Sequence, residues 1–96
     1  MPEVVVKFKD GMVVRLDEIK FRDLKQILKK YPELMEEGSK IPVEALEDLV
    51  YYSIVEWPSE YETKEEFLEN LPASRFLVLL EEVRKANPLF WETETE

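Results

Sequence analysis

The chain has no cysteine, no histidine, two glycines and one glutamine, and its longest apolar run, Phe76–Leu80, is five residues. Each absence excludes something. Without cysteine there is no disulfide framework, no thiolate nucleophile and no sulfur-ligated zinc site. Without histidine the commonest general base is missing, and serine triads built on an imidazole are excluded. Gly11 and Gly38 cannot form a phosphate-cradling glycine loop and read as ordinary turn residues. A membrane span needs about 20 apolar residues. No N-terminal stretch has the basic, apolar, small-residue order of a signal peptide. The expected location is therefore the cytoplasm, that of the host if the source is viral. These gaps point away from an enzyme, and no cofactor is expected.

Carboxylates are what the chain has in excess, with 22 Asp and Glu against 13 Lys and Arg and a net charge of −9. Glu44, Glu47 and Asp48 lie within about one helical turn, as do Glu65, Glu66 and Glu69, and Glu33, Glu36 and Glu37 are also clustered. Such groups can hold Mg²⁺ or Ca²⁺ through oxygen. None has calcium-loop spacing around a central glycine, so they read as solvated helix faces and as charge at helix N-termini. No metal site is expected.

The charge is uneven. Residues 1–30 carry eight Lys/Arg and five Asp/Glu, and the remainder is strongly acidic. A net-acidic surface is repelled by nucleic acid and anionic membrane, and serves solubility or a basic partner. An alternative use is head-to-tail contact with a second copy. The basic residues of the first helix have no interleaved aromatics for base stacking, so nucleic acid binding is not expected. Abundant Glu and Lys beside so few Gln, Asn, Cys and His residues is the bias of heat-adapted proteins. The expected source is thermophilic.

An apolar content of 45% over 96 residues fits one small globular domain, mainly helical α+β. Val4, Val6 and Phe8 alternate with Val5, Lys7 and Lys9, and after Asp10-Gly11 the residues Met12, Val14 and Leu16 alternate with Val13 and Arg15. A two-residue loop would put these two rows on opposite faces. A three-residue loop of Lys9, Asp10 and Gly11 pairs Phe8 with Met12, Val6 with Val14 and Val4 with Leu16, placing all six on one face. Gly11 then takes the left-handed position. A lone hairpin is marginally stable, so this one must lie on helices or join strands of another chain.

Four helices are expected after it. The first spans about Lys20–Tyr31, with Phe21, Leu24, Ile27, Leu28 and Tyr31 as its stripe and Pro32 as its end. A connector over 33–40 follows, loosest at Gly38-Ser39. The second opens with Pro42 in its first turn and runs to Trp57, where Pro58 stops it. Leu46, Leu49, Val50, Ile54 and Trp57 form its stripe, with Val43 and Ser53 filling the spacing. Thr63–Glu66 is a capping box, with Glu66 reaching back to the Thr63 amide, and starts a short third helix with Phe67, Leu68 and Leu71 inward. Pro72 opens the fourth, which ends at Ala86. Its Phe76, Leu77, Leu79, Leu80 and Val83 cover more than half the circumference, the pattern of a central, heavily buried helix. The domain is expected over residues 1–91, with 92–96 as an acidic mobile tail.

Leu89, Phe90 and Trp91 follow the last helix, and either fold back on the core or stand out as an anchor for a partner. Trp57 and the Tyr51-Tyr52 pair sit on or beside the second stripe. Candidate partner-binding residues are thus Tyr51, Trp57, Phe76, Leu80, Leu89, Phe90 and Trp91, the first four as the lining of a groove between the second and fourth helices.

The order of elements resembles the small tail assembly chaperones of bacteriophages over roughly residues 4–88. The shared features are a strand pair, a helix start at Arg22-Asp23-Leu24 and a middle helix closing at Val55-Glu56-Trp57. An acidic capped segment at Thr63–Glu66 and an ending at Ala86-Asn87-Pro88 complete them. The resemblance implies a non-catalytic protein that binds the long helical tape-measure protein, brings tail-tube subunits to it and is absent from the finished particle. It carries over no catalytic residues. The lysine-rich first helix and Leu89-Phe90-Trp91 have no counterpart in that pattern. Two other classes remain open: an acidic DNA mimic that inhibits a nucleic-acid enzyme, of antirestriction or anti-CRISPR type, and a structural subunit that self-assembles through its hairpin edge.

Overall fold

The computed structural model describes residues 3–36, 38 and 40–87. Glu37, Ser39, Leu89, Phe90, Trp91 and the acidic segment 92–96 lie outside the described residues.

The N-terminal hairpin is β1 (Val4–Lys7) and β2 (Val13–Leu16). Its register is Val4 opposite Leu16 and Val6 opposite Val14. Phe8 donates its N–H to the Met12 carbonyl at 2.8 Å, and Gly11 stands at φ 97°. The three-residue loop follows from the need to bury one face. Val6, Val14 and Leu16 are buried and Val4, Phe8 and Met12 pack against them, while Val5 and Val13 on the other face are exposed.

Helix α1 (Phe21–Lys30) places Ile27 in the core, and a 3-10 turn over Pro32–Met35 occupies the start of the expected connector. Phe21 does not join the buried stripe. It is 70% exposed at the open end of the helix, with the Lys25 ammonium 5.5 Å from its ring.

The second helix is shorter than its pattern suggests. α2 (Val43–Ser53) stops at Ser53, and Ile54–Glu56 is a strand, β3, beside β2. Ile54 and Val55 are β-branched, so they suit a strand as well as a helix. The edge of β2 decides between them. As a strand, Ile54 faces Leu16 and stays buried, and the ladder adds an Asp17 N–H to Ser53 carbonyl bond of 2.9 Å. A register shift at Arg15/Leu16 absorbs one residue of the new strand. The sheet therefore has three antiparallel strands in the order β1-β2-β3. The hairpin both lies on helices and gains a strand from its own chain. Pro42 and Pro72 precede their helices as the capping residues rather than opening the first turn, and Val43 is exposed.

Helix α3 (Lys64–Glu69) has the expected cap: Thr63 Oγ1 accepts from the Glu66 N–H at 3.0 Å. The Glu66 carboxylate reaches one residue further back than expected, accepting from the Glu62 N–H at 3.1 Å. Phe67 is driven into the core, with Tyr61 ring-to-ring at 5.7 Å.

Helix α4 (Ala73–Ala86) packs under the sheet and against α2 through Leu79, Val83 and Ala86. It is not buried over more than half its circumference: Leu77 is 62% exposed and Val78 is 42% exposed. The domain has no further described element to lay over that flank. Arg75 ties the start of α4 to the hairpin tip. Its guanidinium is 2.9 Å from Asp10 Oδ2 and 4.5 Å from the centre of the Phe8 ring. At the other end, Asn87 is buried and fastens three elements. It donates to the Val83 carbonyl at 2.9 Å, contacts Ser53 Oγ at 3.4 Å and accepts the Ile19 N–H at 2.8 Å. No described helix is long and apolar enough to cross a membrane.

Candidate functional site

Among the described residues, two open grooves take in candidate side chains. The first lies where α2, α3 and α4 meet and measures about 350 Å³. Helical spacing builds it. Glu47, Asp48 and Tyr51 share one face of α2, Glu65, Leu68 and Glu69 share one face of α3, and Phe76 enters from the first turn of α4. Tyr51, Leu68 and Phe76 make an apolar floor, and four carboxylates surround it.

The rim is electrostatically divided. The Tyr51 hydroxyl donates to Glu65 Oε2 at 2.8 Å, which holds the Glu65 carboxyl below its ordinary range and pushes the Tyr51 hydroxyl up. Asp48 Oδ2 accepts from Lys30 Nζ and from the Tyr31 hydroxyl, each at 3.1 Å. That contact raises Lys30; Tyr31 is raised first by burial and then by the same carboxylate. Glu47 and Glu69 are exposed and have no ion pair among the described residues.

Lys64 holds the floor in place from behind. Its Nζ donates to the carbonyls of Tyr51 at 2.8 Å and Ile54 at 2.9 Å, and stands 4.4 Å from the centre of the Tyr51 ring. A cation at these carbonyls caps the C-terminal end of α2 and complements its dipole. Burial lowers the Lys64 pKa, with Asp23 and Glu65 acting in the opposite sense.

The second groove, about 840 Å³, runs between the hairpin tip at Asp10–Val13 and the segment Val55–Tyr61. Trp57 lies here. Its indole N–H donates to the Tyr61 carbonyl at 3.0 Å and ties the far wall together.

The candidate residues are thus divided between two places. Tyr51 and Phe76 meet in the three-helix groove, and Trp57 lines the other. Leu80 packs half-buried against the core and lines neither groove. Leu89, Phe90 and Trp91 lie outside the described residues. Leu68 packs against the core, as its place on the inward face of α3 predicts, and it also lines the groove, which the pattern of its own helix does not reveal. The four-residue spacing of Glu65 and Glu69 around it is the signal that places it at a rimmed surface. Among the described residues, no three acidic side chains converge as a metal-binding group.

Compared with known proteins, the chain matches no family model, no curated protein and no solved structure.

Proposed function

We propose that this chain is a non-catalytic binding protein that seats an amphipathic helix of a partner protein in the groove between α2, α3 and α4. The observation that carries the proposal is the apolar floor of Tyr51, Leu68 and Phe76 ringed by Glu47, Asp48, Glu65 and Glu69. An apolar trough takes the apolar stripe of a helix, and an acidic rim selects Lys and Arg on either side of that stripe. Within this reading, the resemblance to phage tail assembly chaperones supplies the partner: a long helical tape-measure protein, with tail-tube subunits recruited to it.

The test is affinity capture of the tagged protein from virus-infected host lysate, washed at about 0.5 M salt, where exposed charge contacts are largely screened. The expected result is retention of a long helical protein with a tube-like subunit. Leu68→Glu, which charges the floor, abolishes retention at this salt, and in a wash at about 0.15 M salt the rim variant Glu69→Lys weakens it while leaving the circular dichroism spectrum unchanged. Capture of a nuclease that elutes as salt is raised overturns the proposal in favour of a DNA mimic. Retention indifferent to both variants removes the groove from the account.

A further inference from the structure

The edge of β1 that no described strand covers is self-complementary, and we propose that two copies of the chain pair through it about a two-fold axis at Val5, giving a continuous six-stranded sheet. This does not rest on the helix-binding groove, which lies between helices α2, α3 and α4.

The backbone decides which residues take part. Phe8 bonds to Met12, and Val6 and Val4 pair with Val14 and Leu16, so these even-numbered residues direct their N–H and C=O groups towards β2. Strand groups alternate, so Glu3, Val5 and Lys7 direct theirs away from it. The strand order ends at β1, and no described strand lies on that side. Side chains alternate as well. Val4 and Val6 face the core, whereas Glu3, Val5 and Lys7 are exposed, Val5 at 46%.

The sequence of this edge is Glu3-Val4-Val5-Val6-Lys7. Run antiparallel against itself about Val5, it sets Val5 beside Val5 of the second copy, Val4 beside Val6, and Glu3 beside Lys7. The outward backbone groups of Glu3, Val5 and Lys7 then find partners, and the Glu3–Lys7 pair forms twice, by symmetry. A parallel pairing sets Glu3 beside Glu3 and Lys7 beside Lys7. Antiparallel pairing about Val4 or Val6 also matches outward groups, but it sets Val5 beside Glu3 or beside Lys7 of the second copy, and Glu3 and Lys7 then no longer face each other.

The outer face of the sheet extends the same logic. Arg15 stands 3.5 Å from Glu56 and 3.4 Å from Glu3, so a row of alternating charge already crosses the three strands and ends at an anion. Lys7 of the second copy continues it. Below the sheet, Val4 and Val6 meet their counterparts and prolong the apolar layer over α4. Lysine at an edge strand usually guards against such pairing. Here Glu3 lies at the position that neutralises it.

Sedimentation velocity of the full chain from about 1 µM to about 1 mM reads the equilibrium. The expected result is a concentration-dependent dimer, weaker at higher salt. Lys7→Glu and Glu3→Lys each raise the dissociation constant about tenfold or more, because two attractive pairs become repulsive. The double variant E3K/K7E restores it to near the starting value. Circular dichroism melts confirm that each variant is folded. A monomer throughout the range, or a dimer that Lys7→Glu leaves unchanged, overturns the proposal.

Discussion

Replacing Asn87 by alanine tests how the end of α4 is held to the rest of the domain. The Asn87 side chain is buried, and its oxygen is the acceptor for the Ile19 N–H at 2.8 Å. Its nitrogen donates to the Val83 carbonyl at 2.9 Å, and the Ser53 hydroxyl is further away at 3.4 Å. Alanine leaves the Ile19 amide without a partner in a part-buried site, at a cost of about 1–3 kcal/mol. The Val83 carbonyl keeps the backbone N–H of residue 87 at 3.0 Å, so losing its second donor costs about 1 kcal/mol or less. The sum is about 1–4 kcal/mol, a large share of the roughly 5–14 kcal/mol expected for a domain of this length. For a domain of this size it lowers Tm by roughly 4–30 °C. Urea unfolding followed by circular dichroism gives the same quantity from the midpoint, with the slope unchanged. Ser53→Ala is the internal control: its contact with Asn87 is long, and its loss costs under about 1 kcal/mol. A Tm shift below about 3 °C for Asn87→Ala, or an equal shift for both variants, refutes this assignment of the energy.

Two further outcomes follow from the hairpin tip. Gly11 stands at φ 97° with open space where a Cβ would project, so Gly11→Ala meets no clash and pays only for the left-handed backbone. The expected loss is about 1–2 kcal/mol by thermal melting, and a variant as stable as the parent removes the φ argument. Asp10 is held below its ordinary pKa of 3.8, first by the Arg75 guanidinium and then by the Met12 N–H. The unfolded chain therefore binds more protons in that range. The stabilisation is present above 3.8 and is lost as pH falls through the native pKa. Urea titrations of the parent and Asp10→Asn should differ at neutral pH and converge in acid, and a difference constant with pH counts against the ion pair.

Much of this fold is legible in short stretches. The hairpin register follows from two alternating rows and one glycine, because only one loop length puts Val4, Val6, Phe8, Met12, Val14 and Leu16 on the same side. The start of α3 follows from Thr63 and Glu66, since capping bonds join residues close in sequence. Of the candidate groove, Tyr51 and Phe76 were legible as apolar side chains with room on their helices. That Leu68 lies between them was not, because its neighbours belong to other elements.

What the sequence by itself determined is local: where apolar faces alternate, where helices are capped, and that the chain is one acidic α+β domain. Only the tertiary structure decided how Ile54–Glu56 is used. Its residues satisfy the period of a helix and that of a strand, and the open edge of β2, nearly forty residues upstream, settles the matter with Leu16 opposite Ile54. The flank of α4 was decided the same way. Leu77 is as apolar as Leu79, yet one is 62% exposed and the other fully buried. Burial depends on which face another element arrives to cover, and a helix's own pattern does not contain that information.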